Sequence, residues 1–447
     1  MARLATRSVV LLVATACLLT AAERPEVPRH LTLRDAVGMA FSNSPVIRRG
    51  QARVAGSVAD RDLAKSARLP QVSISAFDAL QTVNLRARGI QAPAIPGVGS
   101  LLPVRVEPFS QVDARALVTQ ELWNMPLRYR HQAGNARVEA SASENLNTRE
   151  MLALQVVLAY AEAQAQQLSV ETLREQLELA TDLERITSDR QQGGIASTLD
   201  VRRSRQQTNY LRQSLLETEH ALLSAKLQLA NLIHAQVSSS YELDAMATPD
   251  SASALGETEA IAAALQARPD YRAAQSQMRA IELELRAARS RRYPTLSFSG
   301  DYGQSGRAPF QNLNTYRIQG SLNVPIYLGG AISAEARRQQ SRLDETQALL
   351  DEVQAQIETD VLTALAAVKS AEAQVTVAAE TIGLAEDELE LSRERFTGGV
   401  ADNMEVVNAQ DRLERAEQNR IRALFQWHVA RANLERAMGS AEKTYRP

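Results

Sequence analysis

The chain has 447 residues, with 50 Lys and Arg against 52 Asp and Glu, and the net charge of -2 gives no ground for a nucleic-acid partner. Hydrophobic residues are 45% of the chain but aromatics only 4%, and Ala, Leu, Gln, Glu and Arg fill the middle of each half, a composition of long packed helices. The single cysteine, Cys17, excludes a disulfide framework.

Met1 to Arg7 is basic, Val9 to Leu19 is apolar but too short to span a bilayer, and Thr20-Ala-Ala22 supplies small residues; residues 1–22 therefore read as a secretory signal cleaved after Ala22. Cys17 follows Ala14-Thr-Ala16 and is a candidate for lipidation, although the bulky aliphatic that lipid processing prefers is missing and membership of the removed apolar core is the stronger reading. No later apolar run reads as long enough for a transmembrane helix, so entry into a membrane would have to use strands.

Residues 23–236 and 256–439 read as two copies of one unit, separated by an equatorial linker at 237–255 and followed by a tail at 440–447. In the first copy, helical sequence from Leu31 breaks near Asn43, restarts at Pro45 and runs to Leu69. Strands are expected at 71–80 and 110–122, joined by a Pro- and Gly-rich loop from Asn84 to Pro108. A long helix at 126–192, a turn at 193–197 and a returning helix at 198–234 complete the copy. The second copy repeats this order with helical sequence at 257–292, strands at 295–302 and 316–326, a long helix at 330–397, a turn at 398–402 and a helix at 403–439.

In the last strand Tyr316, Ile318, Leu322, Val324 and Ile326 point one way while Arg317, Gln319, Ser321 and Asn323 point the other. Polar residues on one face and aromatics near the strand ends fit an outer-membrane strand better than a soluble half-buried sheet. Along the second long helix, positions from Ile357 through Val361, Ala364, Val368, Ala371 and Val375 to Phe396 alternate steps of four and three, a heptad seam. At ~1.5 Å per residue each long helix measures about 100 Å, and two short helices laid end to end nearly match it.

The turns are the clearest internal match. Arg190-Gln-Gln-Gly-Gly-Ile-Ala-Ser-Thr-Leu-Asp-Val201 and Arg395-Phe-Thr-Gly-Gly-Val-Ala-Asp-Asn-Met-Glu-Val406 share the Arg, the Gly pair, the β-branched residue, the Ala, the acid and the closing Val. Each reads as a helical-hairpin tip, with Gly ending one helix and Ser197 or Asp402 capping the next. Exposed apolar residues on such tips call for a partner, which makes Gly193, Gly194, Ile195, Gly398, Gly399 and Val400 a candidate docking surface. His30, His131, His220, His234 and His428 are scattered without metal-ligand spacing and no phosphate loop is present, so no enzyme and no cofactor is expected.

Four strands cannot close a barrel, and an open edge in lipid leaves backbone groups unpaired, so oligomerisation is expected. Two copies would fill the barrel interior with side chains, whereas three would supply twelve strands around water, which suits the polar face better. The fold class expected is mainly α with a small transmembrane β part: a tandem repeat of long helical hairpins whose strands enter a shared barrel.

Leu31-Thr-Leu-Arg-Asp-Ala with Asn43-Ser-Pro45, the Leu-Pro-Gln at 69–71, the Gly tips with Asp200-Val and Glu405-Val, and the twofold repeat together resemble the TolC-type outer-membrane efflux family over nearly the whole mature chain. The resemblance implies a homotrimer in outer-membrane lipid, a helical tunnel through the periplasm, and tips that meet a periplasmic adaptor (membrane fusion protein) joined to an inner-membrane transporter. It places a periplasmic constriction at Glu405 and Asn408, with Asp200 and Phe396 in the surrounding network. Ala401 stands where the family latch has an Arg, so that latch is not expected in the same form. The competing reading is a periplasmic coiled-coil adaptor without a conduit, which would need only one hairpin between β segments.

Overall fold

The computed structural model describes residues 25–89, 94–95, 99–100, 103–236, 240–249, 256–307 and 312–446. The signal segment, Cys17 and much of the 237–255 linker lie outside the described residues.

The duplication is visible in element lengths. α1 (Leu33–Asn43) and α5 (Glu257–Ala267) have 11 residues each, and α2 (Pro45–Ser66) and α6 (Pro269–Ser290) have 22 each. α3 (Met125–Gln192) has 68 residues against 67 in α7 (Ala331–Thr397), and α4 (Thr198–Leu232) and α8 (Asn403–Ala437) have 35 each. Proline sets both early breaks: Pro45 and Pro269 open α2 and α6, where a missing N–H costs nothing. Thr32 Oγ1 accepts from the Asp35 N–H at 3.1 Å and so starts α1 two residues later than Leu31. Leu31 instead belongs to β1 (His30–Leu31), paired in parallel with β6 (Glu242–Leu243). The tail forms one further turn of helix, α9 (Ala441–Tyr445).

Four strands form one antiparallel sheet in the order β2 (Gln71–Asn84), β5 (Arg105–Trp123), β7 (Thr295–Gly306), β8 (Asn312–Asn323). Three are longer than the alternation suggested, and a small hairpin, β3 (Ala94–Ile95) with β4 (Gly99–Ser100), sits in the connection between β2 and β5. β8 is displaced from the expected 316–326. Its last pair is Asn323 with Thr295, because Pro325 has no N–H to donate and Gly329 and Gly330, both at positive φ, turn the chain into α7. Val324, Ile326 and Tyr327 leave the sheet and are exposed.

The register puts Val72, Ile74 and Ala76 beside Val118, Ala116 and Ala114, and these beside Gly300, Tyr302 and Gln304, with Ile318 and Tyr316 following. This apolar face is open: Ile74 is 82% and Ile318 73% exposed. The other face is polar, and there Asp113 is only 2% exposed. Arg115 bonds Asp113 through Nε at 2.6 Å and Asp301 through Nη1 at 2.8 Å. Gly303 lies opposite Arg115, and a Cβ there would fall 2.4 Å from that of Arg115, so the arginine occupies space that only glycine leaves free.

The chain separates into two compact units that cut across the repeats. One takes residues up to Gln51, Glu144–Asp270 and from Gln354 onward; the other takes Ala52–Ser143 and Tyr271–Val353, including the sheet. In the first unit the heptad seam is buried at Ile357, Val361, Ala364, Ala371, Ala378, Ala385, Leu389, Ser392 and Phe396. By length and mean hydropathy of 1.2 one stretch of α7 could cross a membrane, contrary to the sequence-based expectation, but Ala371 and its neighbours Val368 and Val375 pack on Trp427 and Ala430 of α8 instead. A second core joins Leu31, Val37, Val156, Tyr160, Leu229, Ile233 and Leu243, where the Tyr160 hydroxyl donates to Leu31 O at 2.9 Å.

Where α5 turns into α6, Arg268 is 3% exposed and bonds Asp270 at 2.6 Å and Asp360 of α7 at 2.9 Å; Arg436 of α8 reaches the same Asp360 oxygen at 3.0 Å. Arg268→Ala removes the buried member of this network and is expected to cost about 3–5 kcal/mol. A thermal or urea unfolding midpoint within error of wild type would show that the network contributes little.

Candidate functional site

Both hairpin tips close in the same way. Gly194 (φ 73°) and Gly399 (φ 74°) adopt the left-handed conformation, and the N–H groups of Ile195 and Val400 return to Arg190 O and Arg395 O, each at 2.9 Å. Ser197 then caps α4 reciprocally: its Oγ accepts from Asp200 N–H at 3.2 Å while its own N–H donates to the Asp200 carboxylate at 2.9 Å. Asp402 caps α8 by accepting from Glu405 N–H at 3.1 Å. The six tip residues Gly193, Gly194, Ile195, Gly398, Gly399 and Val400 are on the surface, with Ile195 79% and Val400 75% exposed.

The constriction candidates separate. The Asp200 carboxyl is held below its usual range first by the Ser197 hydroxyl, and it serves its own helix. Glu405 pairs with Arg395 at 3.0 Å, so its charge is offset within the chain. Phe396 is buried among Leu183, Leu389, Val406 and Leu413, with the Arg190 guanidinium 4.3 Å above its ring. Asn408 alone faces an open groove between α4 and α8.

The two tips are tied without an acid–base pair. Arg190 donates from Nη1 to Phe396 O at 2.7 Å and from Nη2 to Thr397 O at 3.1 Å, carbonyls of the last turn of α7, of which Phe396 O also accepts from the Gly399 N–H at 3.1 Å. In return Asn403, 2% exposed, donates from Nδ2 to Asp200 O at 3.1 Å and to Ser204 Oγ at 2.8 Å. Ala401 thus needs no replacement partner: the Arg190 guanidinium and the Asn403 amide supply the connection through backbone carbonyls and a hydroxyl.

Sequence reasoning missed Arg190, Asn403 and the groove acids. The groove holding Asn408 also carries Arg203 and Tyr210 from α4 and Asp411, Glu414 and Arg415 from α8. Asp411 accepts from Gln207 Nε2 at 2.7 Å. Burial and then the neighbouring Asp411 push the Glu414 carboxyl up, and Glu414 in turn raises the Tyr210 hydroxyl. The signal was present, since Met404, Asn408, Asp411 and Arg415 recur at steps of three and four on one helix face. Further along α8, Glu417 accepts from Gln176 Nε2 of α3 at 2.9 Å. Burial, with Glu175 and Glu386 nearby, raises its pKa to about 7 against the opposing effects of Gln176 and Arg420.

A four-stranded sheet with one apolar and one polar face, together with two long helical hairpins ending in matched Gly tips, defines a mainly helical two-repeat protein. The family model described as outer membrane efflux protein matches residues 36–234 and 260–440, and the chain belongs to that family. It is 24% identical over 308 residues to a protein of Pseudomonas putida named probable efflux pump outer membrane protein TtgC, covering 67% of this chain and 63% of that one. The chain thus spans somewhat less than two thirds of that relative's length. Its fold matches the outer-membrane channel OprN (TM-score 0.77, 18% identity, 91% of this chain and 90% of that chain). It also matches the outer membrane protein VceC of Vibrio cholerae (TM-score 0.77, 17% identity, 91% and 96%).

Asn403→Ala leaves Asp200 O and Ser204 Oγ without their inter-tip donor and is expected to cost about 1–3 kcal/mol, read as a lower unfolding midpoint; an unchanged midpoint would place the tie elsewhere. Because the Glu417 pKa of about 7 in the folded chain lies above its ordinary 4.5, its contribution is most favourable below about 4.5 and is lost as pH rises through 7. Glu417→Gln should therefore flatten the pH dependence of the melting temperature between pH 5 and 8. A slope identical to wild type would assign that dependence to other groups.

Proposed function

We propose that the chain is the outer-membrane channel of a tripartite efflux or type I secretion assembly, a passive conduit across the outer membrane and periplasm. The sheet carries this reading. One face suits lipid, the other suits water, and neither β2 nor β8 has a second partner strand among the described residues. Three copies joined edge to edge supply twelve strands and satisfy every backbone group that lipid would leave unpaired. A cyclic homotrimer is the closed form of such a head-to-tail contact.

The tips fit a protein partner in the periplasm. Ile195 and Val400 place apolar side chains beside glycines that keep the backbone accessible, a surface for the helical tips of a periplasmic adaptor that leads to an inner-membrane transporter. The constriction falls on the α8 face that carries Asn408, Asp411 and Glu414, with Asp200, Phe396 and Glu405 acting behind it: Asp200 as a cap, Phe396 as core and Glu405 as the partner of Arg395. Nothing in this arrangement performs covalent chemistry; it positions charge along a path.

The mass of the protein in detergent should correspond to three chains and should collapse to one on boiling. A well-behaved single chain in detergent-free buffer would overturn the conduit and favour a periplasmic adaptor. Cysteines at Ala196 and Ala401 should cross-link to a co-expressed adaptor, and a complete absence of cross-links would remove the tips as its docking surface.

A further inference from the structure

In the unit that carries the sheet, α2, α3, α6 and α7 lie side by side. Gly134 of α3 meets Arg61 of α2 so closely that a Cβ would be 3.2 Å from the Arg61 Cα; Arg137 of α3 pairs with Glu284 of α6; Arg279 of α6 bonds Glu139 of α3 at 3.1 Å; and Arg289 of α6 donates to Gln340 of α7 at 3.1 Å. A cleft of about 520 Å³ is lined by residues of all four helices.

The rim of this cleft is cationic beyond what its own acids neutralise. Glu284 is taken by Arg137, and Glu335 by Arg338 at 2.7 Å and by the Gln339 Nε2 at 2.9 Å. Gln339 is the first cause that holds the Glu335 carboxyl below its usual range. Arg130, Arg291 and Arg342 also line the cleft and make no ion pair among the described residues, against a single unpaired acid, Asp60. The floor is small and neutral, with Ala287, Ala288 and Gly134. It also contains Gln339, 5% exposed, whose Oε1 has no hydrogen-bond partner. Guanidinium groups present planar donor forks matched to carboxylate and phosphate oxygens, and a cleft walled by protein concentrates their field.

We propose that this arginine-rimmed cleft is an anion-binding station that takes the carboxylate or phosphate group of a solute moving through the conduit. The inference rests on the conduit reading and adds a ligand class and a place. Arg130 of α3, Arg291 from the turn after α6 and Arg342 of α7 converge here, so the station exists only when the two repeats are packed side by side.

The test is single-channel recording of the full protein in planar bilayers, with citrate added as the probe. Citrate should block the wild-type channel reversibly, and Arg130→Gln, Arg291→Gln and Arg342→Gln combined should weaken the block by about tenfold. Asp60→Asn should strengthen it. Heat-modifiable migration of each variant confirms assembly, and because the three arginines are exposed and unpaired their removal leaves the packed floor intact. Relief of the block by anionic lipid in the bilayer would support the site and assign it to a headgroup; insensitivity to lipid would support it and assign it to a solute in the water path. Equal block in wild type and the triple variant, or no block in either, would overturn the station while leaving the conduit standing. Absence of any conductance would instead overturn the conduit.

Discussion

A backbone amide without a partner is tolerable in water and costly in lipid, and much of this molecule follows from that difference. The sheet of β2, β5, β7 and β8 exposes Val72, Ile74, Tyr316 and Ile318 on one face and gathers Asp113, Arg115 and Asp301 on the other. Such a sheet has a natural solvent for each face but none for its two edges. The duplication contributes half of the strands from each repeat, and among the described residues the outer edges of β2 and β8 have no partner strand.

Tight local geometry recurs wherever charge is held. Gly303 makes room for Arg115, and Gly134 lets α2 and α3 approach beneath the cleft floor. Arg268 is buried only because Asp270 and Asp360 surround it. Arg115 and Arg268 are thus each fixed by specific steric or electrostatic partners.

The tips show how one connection can be made by different chemistry. A salt bridge across two helical turns depends on ionic strength and pH, whereas the Asn403 amide and the Arg190 guanidinium here bond to backbone carbonyls and a hydroxyl. Carbonyl oxygens do not titrate. The pH-sensitive groups are displaced along α8 to Glu414 and Glu417, within the helix bundle and away from the turn itself.

The sequence by itself determined the family, the order of the elements and the seam of α7, because Ile357, Val361 and their successors recur with the period of the helix whatever packs against them. It also determined the two faces of the strands, since alternation survives any register. Only the tertiary structure decided where β8 stops, which requires knowing that Asn323 is the last residue with a partner on β7. It likewise decided that Glu405 is offset by Arg395, that Arg190 and Asn403 join the tips, and that Arg130, Arg291 and Arg342 share one cleft. Periodicity is a property of one element and can be read along a chain. Charge compensation and convergence are properties of distances between elements far apart in sequence, and those distances exist only after the repeats have packed.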